Sequence, residues 1–414
     1  MKLYPFQQKI LDGTDGFNRV AYYLDMGLGK TFVGTFKLLQ FDKSALLVCQ
    51  KSQVDYWIDH LCKYTPWAIF DGTTKKGLEA FCDLGGICVI NYDLVFRRKE
   101  LLSLDNFTLC LDESSLVQNP QAKRTKAILK MNPANVILLS GTPTAGKYEN
   151  LWSQLNLLGW DLSLKAYHSG YVNWTTLDVG GVPIRIVDKL NPYKNVERLK
   201  AKMRQHGAVF LKTEEVFDLP RQNIIEINVP KIKEYNTFQK KSIVTVGGAE
   251  LVGDTTLTKR MYSRMLCGHY NAEKLGAFRD LCQSTADRLI VFYNFNGELE
   301  ALRRICAELE RPVSEINGHC KDLTAYENEP DSVTLIQYKA GSMGLNLQKA
   351  NKIIYFTLTE EADLFLQSMK RIHRIGQEKP CFYYILLCKN SVEDKEILPT
   401  LGIRKGFTDA LFTE

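Results

Sequence analysis

The feature that most constrains this chain is a recurrence of short apolar runs, at 20–24, 45–49, 87–91, 108–111 and 136–139. Each is followed by a polar or glycine turn and then by a longer stretch with helical spacing. Runs of this kind suit strands buried on both faces, as in a parallel sheet covered by helices. A second series follows at 289–293, 333–337, 353–356 and 382–387, so two α/β units are expected. Between the two series the pattern becomes charged and helical, broken by Gly180-Gly181 and by Asp218-Leu219-Pro220. A proline disfavours helix at the residue before it, which places the domain boundary at Leu219-Pro220. Residues 1–219 then form the first domain, with a helical insertion and linker at 156–219. Residues 220–414 form the second, with a helical insertion at 221–270.

Hydrophobic residues at 45% and charged residues at 24% exclude global disorder. The net charge of +6 permits a polyanionic partner without demanding one. The 11 cysteines are odd in number and scattered, with no CxxC pair, so they read as small buried hydrophobes in a reducing compartment rather than zinc ligands. The N-terminus lacks a secretory apolar region, and no apolar run approaches the roughly 18–20 residues that span a bilayer. A soluble, intracellular, cytoplasmic protein with no membrane partner is expected.

The run at 20–24 leads into DMGLGKT at 25–31 and then an apolar-periodic helix. Phosphate needs closely approaching backbone N–H groups, which Gly27 and Gly29 permit, and a helix N-terminus adds a favourable dipole. Lys30 would reach the β- and γ-phosphates and Thr31 would ligate Mg²⁺, with Met26 and Leu28 completing the loop. Leu24 stands where the first glycine of GxxxxGK[ST] usually sits. Asp112 and Glu113 follow the strand at 108–111, at the edge where open α/β sheets bind ligands; Asp112 would hold Mg²⁺ and Glu113 would polarise the attacking water. A third strand ends in SGTP at 140–143. Further on come KAGSMGLNL at 339–347 and QSMKRIHRIGQ at 367–377. There Arg371 and Arg374, three apart and on one face if the segment is helical, could neutralise charge on a γ-phosphate.

Taken in order, DMGLGKT, DESS, SGTP, GSMGLNL and QSMKRIHRIGQ resemble motifs I, II, III, V and VI of superfamily-two helicases, specifically the Swi/Snf-type DNA translocases. Flanking segments agree: YPFQ at 4–7 resembles the adenine-reading Q motif, LLVCQKSQVDYW motif Ia, VINYDLV motif Ib and LIVFYNF motif IV. The resemblance implies two RecA-like lobes, each a mostly parallel sheet flanked by helices, with ATP and Mg²⁺ in the cleft between them. It implies Gln7, Gly344 and Gln367 as further nucleotide contacts, and Thr142 as a link to nucleic acid. Lys51, Ser52, Asn91, Tyr92, Asn294 and Ser342 would contact double-stranded or branched DNA through its phosphates. Ser115 departs from the usual motif II histidine. No chromatin-reading module is attached, so a compact viral or prokaryotic relative, working as a monomer, is expected rather than a nucleosome remodeller.

Three functions are open on these residues. The first is an ATP-driven translocase on double-stranded DNA that migrates branches, anneals strands or displaces bound proteins. The second is a strand-separating DNA or RNA helicase, for which no wedge can be named from sequence. The third is a nucleic-acid-binding scaffold with a decayed ATPase, against which Lys30, Asp112, Glu113, Arg371 and Arg374 all stand.

Overall fold

A computed structural model describes residues 3–41, 44–340 and 345–412. The chain divides into two compact units, Met1–Val216 with Phe407–Glu414, and Phe217–Gly406. The division falls a few residues before Leu219-Pro220. The last residues, assigned from sequence to the second lobe, belong instead to the first unit. Their apolar side chains explain this: Leu411 and Phe412 join its core, Phe412 packs edge-on against Phe210 with centroids 5.6 Å apart, and the Tyr148 hydroxyl donates to the Phe407 carbonyl.

In the first unit the strands are β1 (Arg19–Leu24), β2 (Ala45–Cys49), β3 (Ile69–Asp71), β4 (Ile87–Asn91), β5 (Thr108–Asp112), β6 (Asn135–Ser140), β7 (Trp174–Val179), β8 (Val182–Val187) and β9 (Ala208–Leu211). Among the described residues, seven of them form one sheet in the order β3-β4-β2-β5-β6-β1-β9, every pairing parallel. The central strands are buried from end to end, as their unbroken apolar sequences require. Helices α1 (Pro5–Gly13), α2 (Lys30–Gln40) and α3 (Val54–Tyr64) carry the segments that matter most for the site.

The segment 156–219, expected to be helical, also holds the antiparallel hairpin β7–β8. Gly180 and Gly181, which interrupt the helical pattern in the sequence, are its turn. Their φ values of +63° and +85° are the left-handed pair that a tight two-residue hairpin needs.

In the second unit the strands are β10 (Gln222–Val229), β11 (Ile243–Val246), β12 (Ala249–Val252), β13 (Leu289–Tyr293), β14 (Val313–Ile316), β15 (Lys321–Asp322), β16 (Val333–Gln337), β17 (Lys352–Tyr355) and β18 (Cys381–Cys388). The main sheet runs β10-β18-β17-β13-β16-β14-β15, parallel except at β14–β15. The segment 221–270 is likewise more than helical: β10 pairs along its whole length with β18, and β11–β12 form a second glycine-turned hairpin. Beneath this sheet lies an ion pair sealed from solvent, Lys274 Nζ to Glu393 Oε2 at 2.6 Å, both side chains at 0% exposure. The fold is therefore two mostly parallel α/β sheets flanked by helices. Among the described residues no helix is long and apolar enough to cross a membrane.

Candidate functional site

The phosphate-loop geometry is set by two glycines. Gly27 and Gly29 take φ of +91° and +73°, and Gly29 is the left-handed N-cap of α2, with no side chain capping the first turn. The helix's leading N–H groups are thus left for an anion. Lys30 Nζ donates to the Leu24 carbonyl at 3.0 Å. Asp25 anchors the loop, accepting from Met26 N at 3.0 Å and from Thr213 Oγ1 at 3.1 Å. Met26 is half-buried, and Leu28 is a core residue.

Gln7, which the resemblance implies as an adenine contact, packs against the loop at 25–31. It is 3% exposed, its Oε1 accepts from Tyr4 N and its Nε2 donates to the Leu28 carbonyl, both at 3.0 Å. A Cβ on residue 29 would lie 2.4 Å from that Nε2. Gln7 therefore braces the phosphate loop, and the glycine at 29 is what lets it approach.

At the end of β5, Glu113 holds a left-handed backbone with φ +49°, a sparsely populated conformation for a residue with a side chain. Its Oε2 is buried with no hydrogen-bond partner among the described residues, as is Thr142 Oγ1 in the SGTP turn. Asp112 is held from two sides, its Oδ2 accepting from the Trp57 indole N–H and its backbone carbonyl from the Tyr92 hydroxyl, each at 2.8 Å. Burial, followed by the charge of Glu113, pushes the Asp112 carboxyl up to about 6, against the pull of Trp57 and Lys30. Two adjacent carboxyls, one with an orphaned oxygen and one raised by burial, suit a cation. Among the described residues no three His, Cys, Asp or Glu side chains gather to cage a metal. A cation at Asp112 and Thr31 would therefore complete its shell with phosphate oxygens and water, the usual habit of Mg²⁺.

Sequence reasoning missed Trp57 as a partner of Asp112 and missed Gln154 altogether. Gln154 is fully buried; its Oε1 accepts from Ser114 Oγ at 2.8 Å and from the Tyr23 hydroxyl at 3.0 Å, while its Nε2 donates to the Pro143 carbonyl at 2.7 Å. It ties the DESS turn to the SGTP turn. A lone glutamine inside the apolar stretch LWSQLNLL was the available signal.

Beyond the ends of β2 and β4 lies an open groove of about 410 Å³, lined by Lys51, Thr73, Asn91 and Arg97 together with Asp55 and Asp93. It brings together Lys51 and Asn91, and adds Arg97. Ser52 is exposed on the turn beside it. Tyr92, expected to contact nucleic acid, is 3% exposed, because its hydroxyl is turned inward to Asp112.

In the second unit Asn294 lines a cavity of about 440 Å³ with Arg264, Gln337 and Lys339, but its Nδ2 is already committed to Thr357 Oγ1 at 2.9 Å and to the Leu358 carbonyl at 3.2 Å. Ser342 and Gly344 lie outside the described residues. Gln367 is half-buried on the helix Ala362–Met369. That helix stops before both arginines, so Arg371 and Arg374 do not share a helical face. The Arg371 carbonyl accepts from Leu347 N and the Ile372 carbonyl from Gln377 Nε2, which removes two acceptors that a longer helix would use. Arg371 is 2% exposed and donates from Nη1 to the Leu345 carbonyl at 3.1 Å. Arg374 is half-buried, and burial lowers its guanidinium pKa.

Two family models match successive parts of the chain. The SNF2-related domain matches residues 24–271 and the helicase conserved C-terminal domain residues 273–376. The ISWI chromatin-remodeling complex ATPase ISW1 of Saccharomyces cerevisiae is 24% identical over 91% of this chain and 38% of its own length. The putative ATP-dependent helicase/translocase YwqA of Bacillus subtilis is 23% identical over 90% of this chain and 44% of its own. A Sulfolobus solfataricus SWI2/SNF2 ATPase core, solved in complex with dsDNA, aligns with all of this chain and 95% of its own at 20% identity and a TM-score of 0.47. The chain thus spans about two-fifths of the length of these curated relatives. Relatives from yeast, mouse and human stand beside the bacterial one, so the likeness does not single out the viral or prokaryotic source expected from sequence. With one family model covering 24–271 and a helicase C-terminal model following it, the chain belongs to the SNF2-related family of Swi/Snf-type superfamily-two proteins.

Proposed function

We propose that this chain is an ATP-dependent translocase on double-stranded or branched DNA, with hydrolysis stimulated by the duplex. The observation that carries the reading is the orphaned, strained Glu113 carboxylate beside Asp112, in the same unit as a glycine loop presenting Lys30 and uncapped helix N–H groups. Mg²⁺, when bound, would neutralise phosphate charge and orient the phosphates. Thr31 and Asp112 would hold it, Lys30 would meet the phosphates, and Glu113 would polarise the attacking water and accept its proton. Arg371 and Arg374 supply positive charge to the transferred phosphoryl group. Lys51, Ser52, Asn91 and Arg97 grip phosphates along the groove, a contact without base readout. The protein works as a monomer in a reducing, intracellular setting, where its 11 cysteines remain free thiols, and it acts on branched or protein-bound DNA.

One observation favours a strand-separating reading as the alternative. The hairpin β7–β8 exposes Leu177, Val179, Val182 and Ile184, at 45–60% each, an apolar projection that could serve as a wedge. Triplex displacement separates the two. A translocase strips a third strand from a long duplex with ATP, and not with a non-hydrolysable analogue, while plain and forked duplexes stay paired. Unwinding of the fork in the same assay would make the hairpin reading the correct one.

A further inference from the structure

Two segments that sequence places on the nucleic-acid side each end on the same residue, Asp112. The first is the turn Lys51–Gln53 running into α3, whose first residues, Val54 and Asp55, line the groove with Lys51. Trp57 lies just beyond them on α3, 1% exposed, and its indole N–H reaches Asp112 Oδ2. The second is the end of β4, where Asn91 also lines the groove and the next residue, Tyr92, donates its hydroxyl to the Asp112 carbonyl. One donor fixes the carboxylate and the other fixes the backbone that carries it.

The same helix face also reaches the phosphate loop's helix. His60 packs edge-on against Trp57 with centroids 5.8 Å apart, and its Nε2 lies 3.1 Å from Thr35 Oγ1, which donates to the Thr31 carbonyl at 2.8 Å. A displacement of α3 therefore acts on Asp112 and Thr31 together. In a close-packed interior such a displacement is transmitted rather than absorbed.

We infer that Trp57 and Tyr92 are positioning residues that convey the state of the groove to Asp112, and that they do so without touching nucleic acid. The indole fixes Oδ2 and so sets the orientation of the carboxylate. The phenol holds the strand end at the height where Glu113 turns out of it. Trp57 lies two residues beyond Asp55 and Tyr92 next to Asn91, so the coupling needs no long chain of intermediates, and direct perturbation of the two donors can test it. The inference rests on the translocase reading for its connection to DNA, but not for its connection to the cation.

The test uses the whole chain with Trp57→Phe and Tyr92→Phe, measuring three quantities against wild type. These are duplex affinity at fixed salt, the Mg²⁺ concentration that half-saturates binding of a fluorescent ATP analogue, and the ratio of ATPase rates with and without duplex. Partners that orient a metal-binding carboxylate typically govern about 10- to 100-fold in metal affinity. The half-saturating Mg²⁺ is therefore expected to rise about tenfold in each variant, and the stimulation ratio to fall, while duplex affinity and its salt dependence stay at the wild-type value. An unchanged Mg²⁺ requirement with full stimulation overturns the inference. So does a Tyr92→Phe variant that loses duplex affinity, since Tyr92 would then be a direct contact. If Trp57→Phe does not fold, Tyr92→Phe, which removes a single oxygen, decides alone. Absence of duplex stimulation in the wild type counts against the translocase reading, and the Mg²⁺ shift still settles the positioning role.

Discussion

Lys30 Nζ donates to the carbonyl oxygen of Leu24, the residue that stands where the phosphate loop usually has its first glycine. The ammonium group thus rests on the end of β1, where Gly141 leaves it room: a Cβ at residue 141 would lie 3.2 Å from it. Because Lys30 makes only part-buried contacts, to the carbonyls at the end of β1, Lys30→Ala is expected to leave melting temperature and circular dichroism nearly unchanged. ATP turnover should drop by about 100-fold or more, the usual loss when a preorganised charge on the transition state is removed. A folded variant that still turns over ATP removes the phosphate-loop assignment.

The two arginines are expected to behave differently. Arg374, half-buried, should give a variant (Arg374→Ala) with near-normal ATP affinity and turnover lower by about 10³-fold. Arg371→Ala should lose turnover as well, and in addition melt earlier, because the Leu345 carbonyl loses its buried donor at a cost of about 1–3 kcal/mol. Combined, the losses in turnover should not add, since both groups serve one state. Thermal melts and single-turnover rates on the three variants check this; full turnover in Arg374→Ala would return that residue to an ordinary surface role.

Glu298 gives the second unit a pH dependence of its own. It is fully buried, accepts from Asn294 N, Phe295 N and Thr357 Oγ1, and is pushed up to about 7 chiefly by burial. A carboxyl raised in the folded state stabilises below its ordinary range, near 4.5, and that contribution is lost as pH rises through about 7. Stability should therefore fall between these limits by up to roughly 3 kcal/mol. Glu298→Gln should flatten that part of the melting-temperature profile, whatever it does to the absolute value. A variant with the wild-type slope assigns the dependence to other groups.

The Lys274–Glu393 pair offers a stability test away from the nucleotide. Lys274→Met leaves a sealed carboxylate without its cation and should cost about 3–5 kcal/mol. The double variant Lys274→Met with Glu393→Leu should recover most of that loss, because an apolar pair of similar volume needs no compensation. Denaturant midpoints measure both. A double variant as unstable as the single one would mean that the pair is needed for more than mutual neutralisation.

What could be read from sequence divides along physical lines. Central strands such as β2 and β6 were legible because burial on both faces makes them apolar throughout. Strand β10 was not: it is an edge strand with exposed Ile224, Ile225 and Glu226, a pattern that reads as irregular. The hairpins β7–β8 and β11–β12 hid for a related reason, since among the described residues each forms a two-stranded sheet of its own, β7–β8 largely in solvent and β11–β12 packing one face at Val244, Val246 and Leu251. At the site, groups fixed by local backbone were legible, including the glycines of the phosphate loop and the carboxyls at the end of β5. Trp57 and Gln154 act across 55 and 40 residues of chain, and nothing local marks such a contact. The inward-facing bonds of Tyr92 and Gln7 were not legible either, since each reaches a residue about 20 positions along the chain.

The most direct measurement of the central claim is ATPase rate at one stated salt concentration with no nucleic acid, single-stranded DNA, duplex DNA of two unrelated sequences, branched DNA and single-stranded RNA. Phosphate contacts without base readout should make both duplexes stimulate equally, and stimulation should fall as salt rises. The result that would contradict this is single-stranded RNA as the strongest stimulator, with duplex DNA leaving the basal rate unchanged.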